Sequence, residues 1–244
     1  MSSAGKVSII IPVFNAAKTV EHSLLSSVNQ TYANKEIIVV DGQSTDGSLE
    51  IIKRYADSLA HFISEKDSGV YSAINKGIAL STGDWIYILG ADDYFSDDSV
   101  LSKMAEVVED ECMLVFGNVI NEGATNRAIR EKHISALNKS LYWRNTLHQQ
   151  SVIYNKKLFR AFRFDENLKV LADYDFHLFL LSSEVKFKYI DLNVAHCTAH
   201  GLSKQFEWSL YKEELTIKRK RLPGQLYLLN TIWVRVKYLI KKVS

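Results

Sequence analysis

Short, nearly continuous apolar runs alternate with segments of helical spacing through the first hundred residues. Val7 to Phe14, Glu36 to Val40, His61 to Ser64 and Trp85 to Leu89 are short and rich in β-branched or aromatic side chains, which predicts buried strands. Between them, Ala16 to Val28, Ser48 to Ser58 and Val70 to Leu80 carry helix-like spacing. The alternation predicts an α/β fold in which a parallel sheet is covered by helices on both faces. The second half is less regular. Met113 to Val119, Ser151 to Tyr154 and Lys186 to Val194 read as strands, Asp173 to Ser182 as a strongly apolar helix, and Ile120 to Lys139 as a polar loop or hairpin.

In open α/β sheets a ligand sits beyond the carboxyl ends of the strands. The residues there are Asn15, the run Asp41-Gly42-Gln43-Ser44-Thr45-Asp46-Gly47, the run Glu65-Lys66-Asp67-Ser68-Gly69, and Asp92-Asp93. Each has a local explanation, since Asn15 and Asp46 can cap helices and Asp67-Ser68-Gly69 can be a turn. Four independent turns need not gather carboxylates at one sheet edge, so their convergence is the functional signal. Two adjacent carboxylates are costly to bury without a compensating cation, and hard divalent ions take such oxygen ligands. The competing reading of Asp92-Asp93 is a solvated turn.

Composition adds bounds. With 244 residues, 47% hydrophobic and 24% charged, the chain has material for one large domain, alone or with an appendage. Cys112 and Cys197 are far apart and outside any metal-ligand spacing, which suits a reducing compartment. No basic leader precedes Val7, and no stretch is long and apolar enough to span a bilayer, so the expectation is a cytoplasmic protein. The net charge of +2 conceals an asymmetry: residues 218–244 hold eight Lys or Arg and no Asp or Glu, leaving 22 basic against 28 acidic residues before them.

The order and spacing of several motifs resemble the family-two inverting glycosyltransferases, which have the GT-A nucleotide-sugar-binding fold. The matching pieces are Val7 to Asn15, Glu36 to Ser48, Asn75-Lys76-Gly77, Gly83 to Asp93 and Asp173-Tyr174-Asp175. The match is specific over roughly residues 6 to 95, looser to about 205, and absent in the tail. The resemblance implies a GT-A domain over 1–217, with a nucleotide-binding half (1–95) and an acceptor-binding half (96–217), followed by a basic helical segment (218–244). It implies a nucleoside-diphosphate sugar as donor, most simply a UDP-sugar, and Mg²⁺ or Mn²⁺ as cofactor. Asp41 would accept a hydrogen bond from the base, Pro12, Phe14 and Asn15 would shape the base and ribose pocket, and Asp67 would add a donor contact. Asp93 would ligate the metal and Asp92 lie closer to the ribose or sugar. His196 and His200 stand where some relatives supply a further metal or diphosphate ligand.

Inverting transfer needs a base for the acceptor hydroxyl. By resemblance this falls to Asp173, although the family's preceding acid is replaced by Ala172; Asp173 as a plain helix cap is the alternative. His148 is a candidate for acceptor or donor sugar, or a structural histidine, and Asp175 a further candidate contact for acceptor or sugar. Arg163, Lys204 and the early tail bases are candidates for pairing with diphosphate. The acceptor would be a glycan or lipid-linked glycan, as in bacterial surface polysaccharide synthesis, and nothing points to nucleic acid. From Leu222 to Val243 apolar and aromatic residues interleave with bases, a pattern that fits the cytoplasmic face of the inner membrane or packing on the domain or on a second subunit. Two other classes stay open: a degenerate sugar-nucleotide binder, given Ala172, and a nucleotidyltransferase, disfavoured because Asn15-Ala16-Ala17-Lys18 supplies no glycine-rich phosphate loop.

Overall fold

A computed structural model describes residues 5–123, 131–198 and 207–243. His200 and Lys204 lie outside the described residues. Among the described residues nine strands form one mixed sheet: β1 (Val7–Val13), β2 (Lys35–Asp41), β3 (His61–Ser64), β4 (Trp85–Ile88), β5 (Tyr94–Phe95), β6 (Leu114–Glu122), β7 (Lys132–His133), β8 (Val152–Asn155) and β9 (Phe187–Thr198). Their order is β3-β2-β1-β4-β8-β6-β9-β5, with β7 beside β6. The strands β3, β2, β1 and β4 run parallel, β8 is antiparallel to β4 and β6, and β9 returns parallel to β6. This GT-A architecture puts the reversal of strand order between β1 and β4, where an open α/β sheet forms its binding crevice.

The α-helices among the described residues are α1 (Val20–Val28), α2 (Ser48–Lys53), α3 (Val70–Leu80), α4 (Val100–Glu106), α5 (Ala172–Ser182), α6 (Trp208–Arg221) and α7 (Gly224–Val243). Two apolar clusters, one on each face, explain the unbroken hydrophobicity of β1 and β4. Ile10 and Ile88 join α3 and α5 on one side, while Ile9, Ile11 and Tyr87 join α1 and α4 on the other. Pro12 is tolerated inside β1 for a geometric reason. Ile10 O bonds Leu89 N toward β4 and Val13 O bonds Gly42 N toward β2, so residue 12 points to the β4 side, past the last pair Ile10↔Ile88. Its missing N–H removes no ladder bond there.

The boundary expected between 217 and 218 falls inside α6, which runs unbroken across it. The tail bases are also less exposed than the sequence suggests. Lys218 and Lys237 both pair with Glu214 (2.8 and 2.5 Å), and Lys220 and Arg221 both pair with Asp175 (3.0 and 2.5 Å). One face of α7 packs on α6 through Tyr238, whose ring lies 5.0 Å from Trp208 and 5.3 Å from Tyr211.

Candidate active site

The ends of β1, β2 and β3 build one rim. Asp41 has 0% of its surface exposed, and its carboxylate accepts from the Ser44 N–H (3.0 Å), the Ser64 hydroxyl (2.7 Å) and the Ser44 hydroxyl. Expected to meet a base, Asp41 instead closes the turn after β2 and offers no surface to a ligand. Asn15 takes a left-handed backbone (φ 49°), a conformation Asn tolerates. Its side-chain oxygen accepts from Thr45 N–H at 2.9 Å, and its own N–H donates to Ser44 Oγ at 2.8 Å. The loops after β1 and β2 are thereby locked together.

Above them Phe14 is 65% exposed, while Pro12 is buried beneath. A Cβ on Gly42 would come within 2.9 Å of Asp67 Oδ2 and 3.2 Å of the Phe14 ring, so an aromatic face, a bare backbone and a carboxylate oxygen meet at one point. The other Asp67 oxygen accepts from Gly69 N–H at 2.9 Å and starts α3.

The acidic pair follows β4. Thr198, the last residue of β9, holds both: its N–H donates to Asp93 Oδ1 (3.2 Å) and its hydroxyl to Asp92 Oδ2 (2.8 Å). The opposite oxygens converge on Gly90, where a Cβ would sit 2.5 Å from Asp93 Oδ2 and 3.0 Å from Asp92 Oδ1. Only a residue without a side chain leaves this cradle open. Two hard oxygens in a cradle fit Mg²⁺ or Mn²⁺, which complete their shells with water and phosphate oxygens rather than with an all-protein cage. Among the described residues no group of three His, Cys, Asp or Glu is placed to hold a metal. His196 is engaged elsewhere as well: its Nδ1 lies 2.9 Å from Glu122 and its ring stacks on Tyr94 at 4.9 Å.

Asp173 opens the N-terminal turn of α5, packed against Tyr71 near the start of α3 and so beside the loop carrying Asp67. It retains part of its surface, yet burial pushes its carboxyl up to about 6, over the opposing hydrogen bonds from the Tyr174 N–H and Asn145 and a longer contact to the Tyr71 hydroxyl. A carboxyl raised toward neutrality is a stronger proton acceptor than an ordinary aspartate. Asn145 Nδ2 donates to Asp173 Oδ2 (3.1 Å), and behind Asn145 lie His177 and Tyr154.

The remaining candidates have other partners. Asp175 is 1% exposed and bound by Arg221 and Lys220, so it anchors α6 and does not face a substrate. Arg163 pairs with Glu166 at 2.8 Å. His148 is half-buried at the turn leading into β8, its ring edge-on to His133 at 5.7 Å. Thr198, Gly90, Asn145, His177 and Tyr154 were not singled out by the sequence patterns; the Thr198 contacts span 105 and 106 positions, and no local signal announces them.

Residues 8–185 match the family model described as Glycosyl transferase family 2. A PGL/p-HBAD biosynthesis glycosyltransferase of Mycobacterium bovis is 35% identical over 206 residues, covering 82% of this chain and 79% of that protein. Among solved structures, S. aureus TarS 1-349 in complex with UDP-GlcNAc superposes with a TM-score of 0.68 at 20% identity, over 87% of this chain and 65% of that one. The mannosyltransferase PcManGT from Pyrobaculum calidifontis, in complex with GDP-Man and Mn2+, gives 0.67 at 18% identity, over 90% and 65%. The chain spans 39% of the longer TarS chain.

Proposed function

The chain belongs to glycosyl transferase family 2 and is a glycosyltransferase; from that premise we propose that it moves a sugar, with inversion, from a UDP-sugar to a glycan or lipid-linked acceptor, with a divalent metal at Asp92-Asp93 and Asp173 as base. The observation that carries this reading is the shared cradle at Gly90, where two carboxylate oxygens held by Thr198 converge at the end of β4. Phe14, Gly42 and Asp67 offer a ring and an acceptor to the nucleoside, and Asn15 fixes the loop that presents Phe14. Asp93 would hold the metal directly, and Asp92 would lie toward ribose and sugar. When bound, Mg²⁺ or Mn²⁺ neutralises the charge that accumulates on the diphosphate as it leaves. The neighbours' complexes with UDP-GlcNAc and with GDP-Man and Mn2+ support a nucleotide-sugar donor and a divalent ion.

Asp173 takes the proton of the acceptor hydroxyl. The acceptor oxygen bonds to the anomeric carbon as the bond to the diphosphate oxygen breaks, and the diphosphate departs with the electron pair. A half-titration point near 6 leaves the base charged at neutral pH and predicts an acid limb in the rate near that value.

The outer face of α7 favours the membrane over a purely internal role for the tail. Leu228, Leu229, Ile232, Trp233, Val236 and Leu239 form one exposed stripe, Leu228 being 66% and Leu239 60% exposed. Arg219 and Arg235 are exposed on the same helical pair, and residues 218–244 contain no acid. Apolar side chains flanked by unopposed cations suit the interface of an anionic bilayer, which accounts for a lipid-linked acceptor in bacterial surface polysaccharide synthesis. Among the described residues no helix is long and apolar enough to cross a membrane.

Donor binding is tested by thermal stabilisation with a panel of UDP- and GDP-sugars in Mn²⁺ and in EDTA. A donor at a hundred times its Kd adds about 2.7 kcal/mol of apparent stability. The expected outcome is a gain with one UDP-sugar that needs Mn²⁺ and vanishes in Asp93→Ala. A gain of equal size in EDTA, or in Asp93→Ala, would remove the metal from the account.

A further inference from the structure

Behind Asp173 runs a chain of three polar side chains whose hydrogen-bond directions are all determined. A carboxylate can only accept, so the Asn145 group facing Asp173 Oδ2 at 3.1 Å is its amide nitrogen. The Asn145 oxygen then faces His177 Nδ1 at 3.0 Å, and that nitrogen must carry the hydrogen. The remaining ring nitrogen, Nε2, is an acceptor and meets the Tyr154 hydroxyl at 2.9 Å. His177 is fully buried, and burial pushes it down to about 3, which keeps the ring neutral with a single hydrogen throughout the working range. The donor direction is therefore Tyr154 to His177 to Asn145 to Asp173.

The other carboxylate oxygen has a different environment. Asp173 Oδ1 lies 3.4 Å from the Tyr71 hydroxyl, whose one hydrogen is given to Val170 O at 2.6 Å. The Tyr71 hydrogen is thus engaged mainly by Val170, leaving Oδ1 only a long contact to that hydroxyl, while Oδ2 is held by an amide and the Tyr174 N–H also donates to the carboxylate. We propose that Tyr154, His177 and Asn145 are positioning residues for the base: they hold Asp173 Oδ2, fix the plane of the carboxylate, and leave Oδ1 to receive the acceptor proton.

The inference rests on the reading of Asp173 as base. It explains how a lone aspartate preceded by Ala172 is oriented without a neighbouring acid. The groups around Asp173 are Tyr71 from α3, Tyr154 from β8 and His177 from α5 itself, and Glu213 from α6 binds the N–H groups of Lys169, Val170 and Leu171 nearby. Asp175 is turned to Arg221 and Lys220 on the far side of the turn. Of these groups, the chain through Asn145 is the route by which a remote substitution reaches Oδ2, because each hydrogen bond polarises the next.

Two measurements test it on the full-length protein. The first is the Asp173 carboxyl titration, followed by carbon NMR with the His177 ring nitrogens read alongside. The second is the pH dependence of UDP release from the stabilising UDP-sugar with Mn²⁺. In the wild type His177 should be the neutral Nδ1–H tautomer. Asn145→Ala removes a hydrogen bond to the charged form and should move the carboxyl titration and the acid limb upward by about one pH unit. Tyr154→Phe, which keeps the ring and its packing, should move both in the same direction by less, with the KM for donor unchanged in each. If Asn145→Ala does not fold, Tyr154→Phe and the wild-type tautomer still decide the matter. Unmoved titrations, or an Nε2–H tautomer, would overturn the positioning chain. Full turnover in Asp173→Asn would instead overturn the base assignment beneath it.

Discussion

Two carboxylates at opposite edges of the sheet titrate in opposite directions, and the cause is local in each. At the amino edge, burial alone would raise Glu36, but hydrogen bonds from Lys6, Ser8 and Thr82 overcome it and lower the group to about 2. Ser8 Oγ, Thr82 N–H and Thr82 Oγ1 approach at 2.5, 2.6 and 2.7 Å, joining the starts of β1 and β2 to the segment entering β4. At the carboxyl edge Asp173 is raised to about 6 because burial outweighs its donors. The stability consequences therefore differ in sign. Glu36 contributes stability that is fully present above its ordinary value near 4.5 and is lost as pH falls toward 2. Asp173 carries a cost above 6 that disappears as pH falls below its ordinary value of 3.8. Chemical denaturation at pH 7 should show Glu36→Gln destabilised by about 1–3 kcal/mol. Asp173→Asn should be stabilised there by no more than about 3 kcal/mol, less whatever its partial exposure screens. Equal stability of both variants and wild type at pH 7 would contradict the pair of assignments.

At the scale of elements, α6 is the clamp that holds the start of α5. Glu213 accepts from the N–H groups of Lys169 (2.7 Å), Val170 (3.0 Å) and Leu171 (3.1 Å), which lead into α5, while Asp175 within α5 grips the last turn of α6. Asp175→Asn should cost about 3–5 kcal/mol in denaturant unfolding, because it leaves partly buried cations uncompensated. Its KM for donor should stay unchanged; a raised KM at normal stability would restore Asp175 to the substrate. The strands and α3 were legible because their signal is local: Val70 to Leu80 and His61 to Ser64 have the bounds the spacing predicts. Tyr94–Phe95 and Lys132–His133 are two residues each, too short to show a period, and exist because β9 and β6 offer partners. The acids at the strand ends were legible for the same local reason. Their partners were not, since Ser64 reaches Asp41 across 23 positions and Asn145 reaches Asp173 across 28.

For the whole molecule, the proposed donor site lies at the ends of β1 to β4, and the proposed attachment runs through α7, which is packed on α6. The tail packs on the protein through Tyr238 and Lys237, while Leu228, Ile232 and Leu239 face outward, the face proposed above to meet a membrane. Replacing those three outward residues by Ser should weaken flotation with vesicles containing anionic lipid by at least about 100-fold, each lost apolar contact being worth about 1.5 kcal/mol or more. Unchanged flotation would refute the membrane face, and a dimer dissociated by the same substitutions would assign it to a second copy of the chain.

In the proposed reaction Asp173 accepts the proton of the acceptor hydroxyl as the sugar leaves its donor. Its most direct test is Asp173→Asn, assayed for donor-induced thermal stabilisation and for UDP release or sugar transfer in the same Mn²⁺ buffer. The expected result is full donor stabilisation with turnover reduced by about 100-fold or more. Retention of wild-type turnover with binding intact would contradict it.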